Sequence, residues 1–491
     1  MLAETTLSAQ TANWQQYRAT FTPSAASPDA NLVVLATGKV IIDLDMISLF
    51  PQKTFHNHPN GLRPNLAQTI AELKPKFVRF PGGGVAYGYS LNNIYDWKRT
   101  IGPVEERGDQ RNLWGYHQTA GLGYFEYFQF CEDIGAKPLP VVAAGVSCQN
   151  SGGTWRIGSV GQQCVPLTDM KTYTQNILDL IEWANGPATS AWGAKRAAAG
   201  HPQPFGLEYV GVGNEDKQTP EFRERFKLIY DAVHQKYPNI EAIGTVGPTT
   251  HGEDFNQGWA FAGQLNVPYV DEHYYESPKW FLTNHHRYDN YDRARSKVYL
   301  GEYASHGNTL YNAIAEAAYM TSLERNGDVV SLASHAPLLT KQNHTQWNPD
   351  LIYFNNATVV PSVNYYVPPL FGHNQGDTYH AGVVTPPAGA VSDTTVAASC
   401  VRDSKAGDVV LKLVNASGSA QPFQVDLSRF KGLRPVAART IFTGPKDAQN
   451  TLESPQTVLP KAASYKAGKR FSYEAQPHSL IVIRLRGKGK G

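Results

Sequence analysis

"LEYVGVGNEDKQTPEFRERFKLIYDAVHQKYP", residues 207–238, changes character twice. An apolar run stops at Gly213, Asn214, Glu215 and Asp216, and the stretch that follows repeats apolar residues at helical spacing. Thr219 is placed to cap that helix, Pro220 suits its first position, and Phe222, Phe226, Ile229 and Val233 form a buried stripe. Strand, polar junction and amphipathic helix together make a βα unit. Strands of a parallel sheet are covered on both faces and read as continuous apolar runs, so the polar junction marks the strand's carboxyl end.

The unit recurs along the middle of the chain. "KFVRFPGGG" (76–84) follows a helical pattern with Leu66, Ile70 and Leu73 on one face, and "AKPLPVVAAG" (136–145) follows the aromatic "GYFEYFQFCEDIG". "EAIGTVGP" (241–248), "VPYVDEHYYES" (267–277), "KVYLGEYA" (297–304) and "VVSLASHAPLLT" (329–340) complete seven strands. With "KVIIDLDMISLF" (39–50) the count is eight, and the spacing predicts an α/β fold, a (β/α)8 TIM barrel, over 51–370. Short alternating runs such as "DVVLKLVNAS" and "SLIVIRLR" predict a β-sandwich over 371–491. Residues 1–50 read as a short β segment, too few strands to close a domain alone.

Lys and Arg total 44 against 42 Asp and Glu, without long runs of one sign, so neither nucleic acid nor an anionic membrane is an expected partner. No apolar stretch approaches the ~18 residues that span a bilayer, and "MLAETTLSAQTANW" has neither a basic start nor an apolar core. The expected protein is soluble, secreted or periplasmic rather than cytoplasmic. Cys148 and Cys164 bracket a Gly/Ser-rich loop where a disulfide is plausible in a secreted protein, while Cys131 reads as core. The 26 Tyr, 20 Phe and 9 Trp suit sugar stacking and a large core equally, so they decide nothing alone.

Polar side chains at strand ends decide more, because a parallel barrel opens its working face there. The ends carry Arg79; Asn214 with Glu215; Asp271, Glu272 and His273; Glu302; and His335. Counting from "VIIDLDM", Glu215 ends the fourth strand and Glu302 the seventh, across the mouth from each other. Two facing carboxyl groups are the minimum apparatus for cleaving a glycosidic bond, one held protonated and one ionised. No metal or organic cofactor is required.

Six segments in order, "FVRFPGG", "YDWKRTIGP…R", "VGVGNED…YPNI", "VDEHYYESPKWF", "VYLGEYA" and "WNPDLIYFNN", closely resemble glycoside hydrolase family 51, chiefly its α-L-arabinofuranosidases, over roughly residues 40–490. The resemblance implies Glu215 as general acid/base, Glu302 as nucleophile, Asn214 holding the sugar 2-hydroxyl, Arg79 keeping Glu302 ionised, and His273 and Tyr275 lining the pocket. It implies retaining removal of arabinofuranosyl residues from arabinan or arabinoxylan, a polysaccharide or oligosaccharide being the partner. Trp97 in "WKRTIGP", Trp114 and Trp347 are candidate sugar platforms.

The chain departs from the family in three places. "PGGG" stands where most relatives read Pro-Gly-Gly-Asn, so Gly84 lacks an amide whose sugar contact Tyr87 or Tyr89 would have to replace. A strand ending Phe-x-Glu usually precedes, often with a carbohydrate-binding sandwich; residues 1–50 resemble only that sandwich's tail, so a truncated or rearranged N-terminus is expected. His335 stands where a tyrosine is commoner, a satisfied structural histidine being the plainer reading. An endo-β-glucanase or xylan-active enzyme, with Gly84 and the loop around Trp155 opening the pocket, is the near alternative. An inactive sugar-binding relative and a metal-dependent hydrolase using Asp271 and His273 are the others; no further metal ligands accompany that pair.

Overall fold

The computed structural model describes residues 1–8, 13–27, 29–39, 41–149, 161–387, 389 and 392–487. Seven strands form one parallel sheet in chain order: β1 (Phe77–Phe80), β2 (Lys137–Val142), β3 (Tyr209–Val212), β4 (Glu241–Thr245), β5 (Tyr269–Glu276), β6 (Lys297–Ser305) and β7 (Val330–His335). The sheet curls into a nearly closed TIM-type barrel. Leu139, Val141, Ile243 and Tyr299 fill its interior, with Phe77, Tyr209, Tyr269 and Leu332 packed beside them.

The eighth strand expected at 39–50, and with it the N-terminal β segment, is corrected: the described residues of 1–50 contain no strand. Ile41, Ile42, Leu44, Ile47 and Leu49 are exposed. The physical reason lies in Asp43 and Asp45. A barrel strand is covered on both faces, and these alternating carboxylates would occupy one of them without partners. β1 and β7 consequently stand as the two edges of the sheet.

Outside the strands lie α1 (Pro64–Ala71), α2 (Tyr124–Asp133), α3 (Met170–Asn185), α4 (Pro220–Lys236), α5 (Glu253–Leu265) and α6 (Leu310–Arg325). α4 starts as its sequence demands: the Thr219 hydroxyl accepts from the Phe222 amide, Pro220 opens the first turn, and Phe222, Phe226, Ile229 and Val233 are buried. Burying four such side chains stabilises this packing by roughly 1.5–3 kcal/mol each.

The C-terminal strands are β8 (Val396–Asp403), β9 (Asp408–Asn415), β10 (Gln421–Asp426), β11 (Val436–Thr443), β12 (Lys461–Lys466), β13 (Arg470–Ala475) and β14 (Ser479–Leu485). The larger antiparallel sheet runs β8-β9-β14-β11-β12, and β10 pairs with β13 in the smaller. Sandwich and barrel are not separate bodies. Tyr274, Phe281, Ile314 and Tyr319 from the barrel share one apolar cluster with Val410, Val414, Phe442 and Val482. Across the same seam the fully buried Lys412 ammonium donates to Glu324 of α6 at 2.6 Å and to the Asn374 carbonyl at 2.8 Å.

Candidate active site

Four strand ends, those of β1, β3, β5 and β6, supply the site. Asp271, His273 and Tyr275 share the inward face of β5 by simple alternation, while Glu272 and Tyr274 face the helices. Alternation alone would turn Glu302 outward with Val298 and Leu300. The register prevents this: Leu300 pairs with Glu272 but Glu302 pairs with His273, so Gly301 is an extra residue, a bulge that re-aims Glu302 inward. A Cβ on Gly301 would lie 2.0 Å from Asp271 Oδ1, so only glycine fits beside that carboxylate.

Glu302 is held from two sides. Arg79 Nη1 donates to its Oε1 at 2.5 Å and the Tyr275 hydroxyl to its Oε2 at 2.7 Å, while His273 Nδ1 lies 3.7 Å from Oε2. Burial pushes its carboxyl up, but His273, Arg79 and Tyr275 outweigh this and hold it below the usual glutamate range. Burial works against the His273 imidazolium; Asp271 and Glu302 more than compensate, raising its pKa well above 6.5. Its Nε2 lies 3.2 Å from Asp271 Oδ2 and its Nδ1 2.8 Å from Glu215 Oε1. One donor atom each from Glu215, His273 and Glu302 fall within 4.8 Å of one another.

Glu215 sits on a constrained turn. Its φ is +53°, left-handed and sparsely populated for a residue with a side chain, and Gly213 two positions earlier is at +98°. Three groups hold the turn: Gln149 Nε2 donates to the Glu215 carbonyl at 2.7 Å, the Asn214 amide donates to Asp216 Oδ2 at 2.9 Å, and the Tyr87 hydroxyl donates to that same oxygen. Burial pushes the Asp216 carboxyl up to about 8 against the pull of Tyr87 and Asn214. Asn214 presents its amide oxygen to Arg79 Nη2 at 2.7 Å. The one-turn helix Gly83–Tyr87 passes so close that a Cβ on Gly83 would meet Asn214 Oδ1 at 1.8 Å.

The structure thus brings together Arg79, Asn214, Glu215, His273, Tyr275 and Glu302. Trp347 joins them: its ring centroid is 5.1 Å from that of Tyr275 and 6.0 Å from that of Trp114, which stands beside Gly84. Trp97 does not join them. It is buried against Trp183 and Trp192, its indole donating to the Asn176 carbonyl, so the expected platform is a core residue. Tyr87 is also fully buried and supports the Glu215 turn rather than replacing a sugar contact at Gly84. His335 packs edge-on to Tyr303, 3.6 Å from the buried Glu316, and neither ring nitrogen has a hydrogen-bond partner, so it is structural without being satisfied. Trp155 lies outside the described residues, and the four cysteines are thiols.

Sequence reasoning missed Gln149, Asp216 and the Gly301 bulge. Asp216, beside Glu215, and Gly301, a glycine inside a strand pattern, carried local signals. Glu215, His273 and Glu302 converge as metal ligands do, yet Arg79 and Tyr275 already occupy both oxygens of Glu302, which fits a carboxylate kept ionised by a cation. A separate open cavity of about 580 Å³, lined by Asp96, Lys98, Asp169, Tyr173 and Asn176 among others, contains none of these groups.

Comparison with known proteins follows the same outline. The α-L-arabinofuranosidase 1 domain matches residues 69–293, and the α-L-arabinofuranosidase C-terminal domain matches 290–479. α-L-Arabinofuranosidase 1 of Arabidopsis thaliana is 32% identical over 487 residues, 96% of this chain and 67% of that protein. An arabinose-bound family 51 α-L-arabinofuranosidase superposes with a TM-score of 0.78 at 34% identity, over 89% of this chain and 68% of the other. The chain belongs to glycoside hydrolase family 51. An extracellular exo-α-L-arabinofuranosidase of Streptomyces chartreusis is 49% identical over 375 residues, 74% of this chain. The family 51 chain spans 44% of the length of that Streptomyces protein. Among its described residues no helix is long and apolar enough to cross a membrane.

Proposed function

We propose that this chain is a retaining, exo-acting α-L-arabinofuranosidase that removes arabinofuranosyl residues from arabinan or arabinoxylan outside the cell. The observation that carries the reading is the approach of one Glu215 carboxylate oxygen to within 4.8 Å of one Glu302 carboxylate oxygen. Retaining glycosidases hold their carboxyl groups about 5–5.5 Å apart, whereas inverting ones leave about 6.5–9.5 Å for a water. In the first step Glu302, ionised beside Arg79 and His273, attacks the anomeric carbon. Glu215 gives its proton to the departing oxygen. Glu215 then takes a proton from water, and that water displaces Glu302 from the sugar. Arg79 engages the Asn214 amide oxygen, which leaves the amide NH2 as the group for a sugar hydroxyl.

The test is hydrolysis of an aryl α-L-arabinofuranoside by the wild type and by Glu302→Ala, with the first-formed sugar followed by NMR. Expected are arabinose of unchanged anomeric configuration and a loss of about three orders of magnitude or more in the variant, the scale of removing a nucleophile. Inverted product, or an active Glu302→Ala, would refute the mechanism. Rapid shortening of soluble β-glucan or xylan without arabinose release would refute the exo assignment.

A further inference from the structure

We propose that His56, His58 and Asp133 form a binding site for a zinc-type dication at the base of the barrel. His58 Nε2 lies 2.9 and 3.0 Å from the two Asp133 oxygens, and His56 Nδ1 lies 3.4 Å from Oδ1. One donor atom from each of the three residues falls within 4.8 Å of the others. Around a tetrahedral zinc with bonds of about 2.0–2.1 Å, neighbouring donors are roughly 3.4 Å apart. The His56–Asp133 separation already meets that spacing, and the His58–Asp133 pair, at 2.9–3.0 Å, has about 0.4 Å to open. The imidazole-to-imidazole gap has at most about 1.4 Å to close, which the half-exposed His56 ring would do by sliding over Phe55, on which it stacks at 4.4 Å.

The donor set chooses the ion. Two imidazoles and a carboxylate suit Zn²⁺, Cu²⁺ or Ni²⁺, whereas Mg²⁺ and Ca²⁺ seek oxygen ligands. Asp133 and His58, with side chains 13% and 30% exposed, form the fixed part. The His58 carbonyl accepts from the Thr54 hydroxyl at 2.6 Å and the Gly61 amide at 3.0 Å, and Phe55 is buried beneath. Asp133 is the last residue of α2, where the helix dipole favours a cation. α2 leads into the start of β2, so the cluster occupies the end of the barrel opposite Glu215 and Glu302. A bound ion would tie Phe55–Gly61, the segment entering the barrel, to α2.

The experiment titrates the chelator-stripped full chain with ZnCl2, reading bound equivalents by calorimetry and the melting temperature in parallel, with MgCl2 as control. His56→Ala is the decisive variant because it leaves the His58–Asp133 pair intact. Expected are a zinc-dependent rise in melting temperature in the wild type and none with magnesium. His56→Ala should bind at least tenfold more weakly with its metal-free melting temperature unchanged, and Asp133→Asn should lose one equivalent relative to the wild type. Zinc held at the catalytic group instead would bind equally in wild type and both variants. That outcome, or no zinc uptake by the wild type, would overturn the proposal.

Discussion

Replacing Gly83 by alanine places a methyl group where the Asn214 amide now sits. The new Cβ would lie 1.8 Å from Asn214 Oδ1 and 2.0 Å from its Cγ, while comfortable contact begins near 3.4 Å. The amide must therefore retreat by about 1.5 Å, which takes its oxygen out of reach of Arg79 Nη2, now 2.7 Å away. A hydrogen bond to a charged group is worth about 1.5–3 kcal/mol, and each 1.36 kcal/mol is tenfold in rate, so kcat/KM should fall by roughly 10- to 100-fold. The loss should sit in kcat, since a hydrogen bond to the sugar 2-hydroxyl, the contact proposed for Asn214, strengthens in the transition state of glycoside hydrolysis. Initial rates on an aryl α-L-arabinofuranoside, with melting temperatures to show that the fold survives, measure the effect. The sharper readout is the cycle with Asn214→Ala: once the amide is gone the methyl has nothing to displace, so the double variant should be no slower than Asn214→Ala alone. A Gly83→Ala enzyme within twofold of wild type, or losses that simply multiply, would refute this account of the junction.

Two further substitutions separate the charges around Glu302. Arg79→Met removes the guanidinium that helps hold Glu302 below its usual range; since the nucleophile must be ionised, the acid limb of kcat/KM should move to higher pH by about 1–3 units. An unmoved acid limb in a folded variant would refute that assignment. Asp271→Asn withdraws a carboxylate that raises His273. A histidine raised above its unfolded value contributes stability that is fully present below about pH 6.5 and fades as pH rises through its folded value. The melting-temperature penalty of Asp271→Asn should therefore be larger at pH 6 than in alkaline buffer; a penalty independent of pH would count against it.

Much of this was readable from the chain. The run ending at Asn214 and Glu215 is buried on both faces, so its composition announces both the strand and its polar exit, and Thr219-Pro220 fixes where the helix begins. Glu302 was legible as a strand-end carboxylate, but its inward aim was not. That depends on one skipped residue in the pairing of β5 with β6; Gly301 inside the strand hints at a bulge, but only the register of the partner strand shows which way it turns Glu302. Trp97 shows a different limit: a tryptophan buries as readily as it stacks on sugar, and only its neighbours Trp183 and Trp192, far along the chain, decide which. The Tyr87–Asp216 contact joins residues 129 positions apart, beyond any window of periodicity. At 39–50 the apolar content suggested a strand, while the alternating Asp43 and Asp45 argued against burying it.

The shared apolar seam between the barrel and the C-terminal sheets has a practical side. A protein engineer who trimmed the chain after Gly372 to obtain a minimal catalyst would strip cover from Tyr319 and Ile314 and leave Glu324 without its lysine. Glu215 and Glu302 would survive such a deletion on paper, mounted on a scaffold with one oily flank facing water. Grafting this barrel onto other modules is best done with its sandwich attached, as a single exchangeable cassette.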